Sequence, residues 1–174
     1  QFESYNAGYN ALVESVMLHG VMTSGANGNE FGDFYVSTLG SGTTTEKFRI
    51  KGSGQVGVGT STPTSKLHVI GDITSEANVI ASGAAVNLSL SNTHVLQSVG
   101  GSTITLSNMA NGGTYTLILQ DQTSRTYSFA GCANTKFSPA SSATTAATDT
   151  IFGLTTVKVG GAWYCYVTWS SGFQ

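Results

Sequence analysis

The feature that most limits how this chain can fold is a long stretch without charge. The 44 residues from Ala77 to Gln120 contain no Asp, Glu, Lys or Arg. Charged residues make up 9% of the whole chain, against about 25% in ordinary soluble domains. Thr, Ser and Gly supply the polar surface instead, with 24, 22 and 22 copies. Because Thr favours strands while Gly and Ser favour turns, the composition predicts an all-β protein.

The charge balance and hydropathy exclude several classes of function. A formal net charge of −2 leaves no basic surface for nucleic acid. No run of about 18 apolar residues exists, so we expect no membrane insertion. The neutral surface has two explanations, a partner subunit that covers it or hydroxyl-rich faces that remain in solvent. The chain opens at Gln1 rather than Met, and we expect it to be part of a longer protein.

The first predicted region, residues 1–76, reads as a series of strands. Residues 11–22 are compatible with a helix or a strand, and their glycine and β-branched content favours a strand. Residues 31–39 and 46–51 are clearer strands, and the second of these places Phe48 and Ile50 on one face. Residues 66–74 are predicted as a strand whose inward positions are Leu67, Val69 and Ile73.

A junction is predicted at residues 77–86, and a β-sandwich or barrel-like module at 87–174. Seven short runs in this module have period-two features and are separated by Gly-rich turns. They are residues 87–91, 94–99, 102–107, 114–120, 125–130, 150–159 and 162–169. Residues 138–149 form a Ser/Ala/Thr-rich loop.

Three glycines, Gly52, Gly54 and Gly57, have the G-x-G-x-x-G spacing of dinucleotide-binding loops. Such a loop must be followed by a helix whose N-terminus faces the phosphates. Here the chain continues through TSTPTSKLHV into a predicted strand, with no room for a crossover helix. We therefore expect no nucleotide site and no cofactor.

The same stretch resembles a unit of trimeric fibre proteins, with the pattern RI-x-x-x-G-x-VGIGT-x-x-P-x-x-KLHV-x-G. These proteins include bacteriophage tail fibres and bacterial surface adhesins, some of them from predatory bacteria. The matching residues are Ile50, Gly54, Val56, Gly57, Val58, Gly59, Thr60, Pro63, Lys66, Leu67, His68, Val69 and Gly71, where Val58 replaces the commoner Ile. The resemblance implies an intertwined homotrimeric β region, 1–76, in which close backbone approach at the axis requires glycine.

The C-terminal part carries a second, looser resemblance. The segments ITLSNMANGGTYTLILQDQTSRTYSF and GGAWYCYVTW are similar to a β-sandwich found at the distal ends of such fibres. This implies that 87–174 is a tip domain, and that the protein lies outside the cell, on a cell surface or a virion fibre.

Candidate catalytic and metal-binding groups are few. His19, His68 and His94 lie in separate segments, without a second ligand at metal-binding spacing. There is no G-x-S-x-G elbow, and the acids are concentrated before residue 77. We expect no enzyme activity and no metal. The cysteines, Cys132 and Cys165, permit one disulfide without requiring it.

Exposed aromatic side chains are the better indication of function. AWYCYVTW places Trp163 and Trp169 on the face of Cys165 and Val167, which we predict to be the core face. The tyrosines then face outward, where they can stack on sugars or pack against a neighbouring subunit. The candidate ligand-binding residues are Tyr164, Tyr166, Asp121, Arg125, Asn134 and Lys136.

Together these observations predict a receptor-binding tip of a homotrimeric fibre adhesin that attaches to a target-cell glycan or envelope component. The alternative is a structural module that trimerises and caps the fibre end without a ligand of its own.

Overall fold

The protein, described by a computed structural model, is all-β, as predicted. The described backbone covers residues 2–6, 11–26, 28–141 and 143–174, with side chains except at 2–6, 11–14, 26, 29, 121 and 122. These residues form strands, turns and loops and no helix. The chain divides into two compact units, Gln1–Ile73 and Thr74–Gln174. Residues 77–86, predicted as a junction, belong to the second unit and contain parts of two of its strands.

The first unit is one sheet of six strands, in which each strand pairs with the next along the chain. The strands are β1 (Phe2–Asn6), β2 (Ala11–Ala26), β3 (Asn29–Gly40), β4 (Thr43–Ile50), β5 (Val56–Val58) and β6 (Leu67–Val69). All pairs are antiparallel except β5 with β6. The predicted strands at 11–22, 31–39 and 46–51 are confirmed, and the one at 66–74 shrinks to three residues.

One face of this sheet is apolar. Cross-strand partners lie on the same face, and the register joins two rows of apolar side chains across β2 to β6. The apolar face consists of Leu18, Val36, Phe48, Val58 and Val69 in one row and Phe34, Ile50, Val56 and Leu67 in the other. No Leu, Ile, Val, Phe or Met side chain described in this unit is buried. The prediction that Leu67 and Ile73 point inward is wrong for the single chain, where they are 58% and 77% exposed.

The opposite face is held by an ion-pair network. Arg49 donates to Asp33 at 2.7 Å and to both carboxylate oxygens of Glu46 at 2.8 and 2.5 Å. Its guanidinium also lies 4.8 Å from the centre of the Tyr35 ring, which stacks on His19. One face therefore buries charge while the other exposes hydrocarbon.

The glycine-rich corner is an ordinary β connection. The Gly52 amide donates to Asp33 Oδ1 at 2.9 Å, which ties the corner to β3. A Cβ at Gly57 would lie 2.3 Å from the carbonyl oxygen of Thr60, so the backbone approaches too closely for any other residue. After Gly59 the described chain runs into β6 without a helix, as expected from the sequence.

The second unit consists of two sheets. Its strands are β7 (Asn78–Ile80), β8 (Ala85–Asn87), β9 (Thr93–Leu96), β10 (Thr103–Ser107), β11 (Gly113–Gln122), β12 (Ser128–Ala130), β13 (Asn134–Ser138), β14 (Thr148–Val159) and β15 (Ala162–Phe173). The large sheet has the order β13-β15-β14-β11-β9-β7, and the small sheet has the order β12-β10-β8.

The two sheets pack against one shared core. From β7 to β12 the chain passes from one sheet to the other after every strand. Strands of the same sheet are therefore parallel here, and each crossover carries a strand of the facing sheet. Only β14 and β15 form a long antiparallel hairpin. The core consists of alternate residues from both sheets, among them Val86, Ile104, Leu106, Phe129, Leu96, Leu117, Leu119, Phe152, Leu154, Cys165 and Val167.

Most of the predicted strands of this unit are confirmed, but the strand predicted at 94–99 ends at Leu96 and the one predicted at 125–130 begins at Ser128. β7 lies where no strand was predicted. Residues 88–91 form a turn, so the strand predicted at 87–91 is wrong beyond its first residue. β13 was not predicted, because Phe137 is its only large apolar side chain. It forms by parallel pairing with β15, a distant segment of the chain.

The ion-pair network predicts an acid-sensitive first unit. The hydrogen bond from the Gly52 amide and the charges of Arg49 and Lys51 hold the pKa of Asp33 below its usual value, although burial opposes this. A lowered pKa stabilises the fold at pH values above the unfolded pKa, about 3.9. That contribution is lost as pH falls through the folded pKa. In thermal melts followed by circular dichroism, Asp33→Asn should lower the melting temperature at pH 7 and reduce its dependence on pH below 4.

Asp72→Asn, which changes an exposed carboxylate of the same unit, is the matched control. If the melting temperatures of Asp33→Asn, Asp72→Asn and the unmodified protein all depended on pH in the same way, the stabilising role of the Asp33 carboxylate would be contradicted.

Candidate functional site

The candidate site is built on the parallel pair of strands β13 and β15. Their register places Asn134 opposite Tyr164 and Lys136 opposite Tyr166. Since Cys165 and Val167 are buried, the tyrosines lie on the outer face of the large sheet. Tyr166 is 50% exposed. Four of the six predicted ligand-binding residues are thus brought together by register.

Strand β14 extends this surface on the other side of β15. Thr155 lies opposite Tyr166, and its own side chain is exposed. We call Asn134, Lys136, Tyr164, Tyr166 and Thr155 the tyrosine patch. It combines two aromatic rings, spaced about 7 Å along one strand, with an amide, a hydroxyl and an ammonium group. Such a mixture of apolar faces and hydrogen-bonding groups suits a polar ligand that also has C–H surface.

A shallow recess lies further along β15, and the sequence analysis did not identify it. It has a volume of about 350 Å³ and is lined by Ile151, Gly153, Thr168, Trp169, Ser170 and Phe173. Gly153 forms its floor, since a Cβ there would lie 2.6 Å from Thr168 Oγ1. Ser170 is four residues from Tyr166, about 13 Å along the strand. Gly153 within a strand was the available signal, because glycine there removes a side chain from the sheet face.

Of the two remaining predicted ligand-binding residues, Arg125 is held away from the patch by backbone carbonyl groups. Arg125 donates from Nη1 to the carbonyl oxygens of Val99 and Gly101 at 3.2 and 2.9 Å, and from Nη2 to Thr123. Its guanidinium therefore holds the connection before β10. Asp121 lies in β11, and its side chain is outside the described part of the structure.

The predicted core face of β15 is confirmed. Trp169 stacks against Phe152, with ring centres 6.2 Å apart, and its Nε1 donates to the carbonyl oxygen of Pro139 at 3.3 Å. Trp163 is half-buried, and Lys158 Nζ lies 5.5 Å from its ring centre. The Trp169 side chain is therefore part of the support of the site, and the tyrosines form its surface.

A disulfide joins Cys132 to Cys165, with Cα atoms 5.9 Å apart. Cys165 is fully buried in β15, and Cys132 lies two residues before β13 begins. Phe137 adds a ring contact with Phe129 across the core, at 6.0 Å between centres. The edge strand that carries Asn134 and Lys136 is thus fixed at its start by a covalent bond and near its end by packing.

The histidines have structural partners. His94 is fully buried, with Nε2 2.9 Å from the Ser91 carbonyl oxygen and Nδ1 3.1 Å from Asn78 Nδ2. Nε2–H therefore donates to Ser91 while Nδ1 accepts from Asn78, which is the neutral ring. Burial lowers the pKa of His94, against the opposing effect of the Ser91 hydrogen bond. His68 accepts from the Thr64 amide at 3.3 Å. Among the described residues, no group of three or more His, Cys, Asp or Glu side chains could hold a metal ion.

Comparisons with known proteins do not assign this chain to a family. No protein-family model matches the sequence, and no curated protein matches it either. The part of the chain that is described contains no helix long and apolar enough to span a membrane. The interpretation of the site therefore rests on its residues and their geometry.

The disulfide predicts a measurable part of the stability of the second unit. It closes a sequence separation of 33 residues, for which the chain-entropy relation gives about 3–4 kcal/mol. Cys132→Ala combined with Cys165→Ala should lower the free energy of unfolding by that amount. Urea unfolding followed by tryptophan fluorescence reports on this unit alone, since Trp163 and Trp169 both lie in it. The reduced, unmodified protein is the control and should behave like the double variant. A loss below about 1 kcal/mol in either would contradict the prediction.

Proposed function

We propose that this chain is the receptor-binding tip of a homotrimeric fibre adhesin, which acts outside the cell by attaching to a glycan on a target-cell surface. The observation that carries the proposal is the tyrosine patch, an outward aromatic and hydrogen-bonding surface on a sheet held in place by a complete core. The proposed activity is binding without turnover, and it requires no cofactor.

The shape of the patch supports a glycan rather than a small apolar ligand. Its rings lie on a sheet surface, and the recess beside them is shallow and lined partly by hydroxyl groups. A saccharide chain offers C–H faces to aromatic rings and hydroxyls to Asn, Thr and Ser side chains. Laid along β15, it would contact the tyrosines at one end and Ser170 at the other. Open sites of this kind bind weakly, and three copies on one fibre would raise the overall affinity through avidity.

The apolar face of the first unit supports self-association. Five of the nine apolar side chains on this face are exposed and the other four are half-buried, so a single layer leaves a large apolar surface in contact with water. The other face carries the Arg49 ion pairs beside exposed Val21 and Phe31, so the apolar face is the better suited to burial. Copies of the same chain present the same face, and a homotrimer would cover three such faces around one axis.

The apolar face also favours the second candidate function, a trimerisation and capping module. In that case self-association would be the whole function, and the tyrosine patch would contact another subunit or solvent. The two candidates share the trimer and differ in whether the patch binds a ligand.

Self-association predicts a mass of about 54 kDa in light scattering, three times the 18.0 kDa of one chain. Phe34→Asp places a charge in the middle of the apolar face and should shift the mass toward the monomer, since burying an unpaired carboxylate is costly. Ser61→Asp adds the same charge at an exposed turn of this unit and should leave the mass unchanged. A monomeric unmodified protein would overturn the trimer.

Ligand binding predicts that Tyr166→Ala reduces attachment to target cells or immobilised glycans by at least about tenfold, and leaves stability within about 0.5 kcal/mol, as for other surface substitutions. Leu154→Ala, one strand away but in the core, should instead cost about 2–5 kcal/mol. Flow cytometry with fluorescent protein measures the first effect, and urea unfolding measures the second. Unchanged attachment by a folded Tyr166→Ala trimer would favour the structural module.

A further inference from the structure

Lys136 is the only charged side chain of the tyrosine patch. It is exposed in the middle of β13 and lies directly opposite Tyr166. The ion pairs found in the described part of the chain both involve Arg49 of the first unit, so none of them neutralises Lys136. Its side chain therefore lies on the same face as the two tyrosines, and its three donors are not used by an ion pair among the described residues.

No acidic residue lies in β13 or β15, the strands that carry Lys136 and the tyrosines. The six strands of the large sheet contain two acids, Asp121 in β11 and Asp149 in β14. Asp149 is six residues from Thr155, the patch residue on its strand, which is about 20 Å in an extended chain. The adjoining residues 77–120 carry no charge of either sign. The three strands that carry the patch, β13, β14 and β15, therefore hold two lysines, Lys136 and Lys158, and one acid, Asp149.

We propose that the ligand of the tyrosine patch is an acidic saccharide, a uronic or sialic acid, whose carboxylate binds Lys136 while its ring contacts Tyr166. This rests on the proposed function and names its ligand class. Thr155 lies next to Tyr166 on β14, and Asn134 lies two residues from Lys136 on β13, and both can form hydrogen bonds with sugar hydroxyls. A single lysine on an exposed surface gives a modest, salt-sensitive preference, which suits a receptor that carries many repeated acidic sugars.

A lysine on an edge strand has another use, because its charge discourages pairing with the edge of a second sheet. β13 is an edge strand of the large sheet. That role predicts an effect of Lys136 on aggregation and none on ligand choice, which makes the two roles separable by experiment.

The experiment uses the full chain and four immobilised polysaccharides at about 0.15 M salt, close to physiological ionic strength. Polygalacturonate and polysialic acid are the carboxylated probes, dextran sulfate is the sulfated probe, and a galactan is the uncharged probe. We expect the carboxylated probes to bind best. Lys136→Gln should weaken that binding by at least about tenfold, as expected for loss of a hydrogen bond to a charged group. Lys136→Arg should retain most of it.

Lys158→Gln is the matched control, since it removes the same charge from the same unit at the turn of the β14–β15 hairpin. It should change binding by less than about twofold, because the lysine it replaces lies over Trp163 on the other face. Equal losses in Lys136→Gln and Lys158→Gln would overturn the proposal in favour of general charge attraction.

The remaining outcomes separate this proposal from the proposed function. Strongest binding to the galactan, lost in Tyr166→Ala and unchanged in Lys136→Gln, would overturn the acidic ligand and keep the adhesin. Stronger binding to dextran sulfate than to the carboxylated probes would overturn the proposal that Lys136 binds a carboxylate. Binding to none of the probes by a trimer that still attaches to target cells would also overturn the acidic saccharide while the adhesin survives. A trimer that attaches to no target cell would contradict the proposed adhesin function and, with it, the acidic saccharide as its ligand.

Discussion

The core between the two sheets of the second unit is the interaction on which the candidate site depends. Cys165 and Val167 are buried in it, and strand alternation then forces Tyr164 and Tyr166 to the opposite face. The hydrophobic effect thus orients the tyrosines, although they take no part in the core. The disulfide and Phe137 extend the same support to β13, so that Asn134 and Lys136 are held in register with them.

The first unit presents the opposite case, a sheet that lacks such a core. Its ion-pair network lies on one side, where Arg49 binds the carboxylates of buried Asp33 and half-buried Glu46, while its apolar rows face away. The fold of this sheet is determined by strand pairing and by the ion-pair network, and in the proposed trimer its apolar face would supply the free energy of association. In the proposed trimer the two units would have separate tasks, assembly in the first and recognition in the second.

Several parts of the fold could be predicted because they depend on local pattern. The long strands β2, β3, β14 and β15 follow from β-branched and aromatic runs, and the passage from Gly59 into β6 without a helix follows from the Pro and β-branched residues between them. The shorter strands were less predictable. β13 has one large apolar residue, and its pairing partner β15 lies about thirty residues away, so only long-range contacts specify it.

The sequence by itself determined that the chain is all-β, because its composition favours strands and turns. It also determined that Trp169 and Cys165 share the inward face of a strand while Tyr164 and Tyr166 share its outward face, because strand alternation is a local rule. Only the tertiary structure decided which residues join the tyrosines. Parallel pairing brought in Asn134 and Lys136, and hydrogen bonds to Val99 and Gly101 kept Arg125 elsewhere. Register between distant strands is set by the packing of the whole core, and no local pattern contains that information.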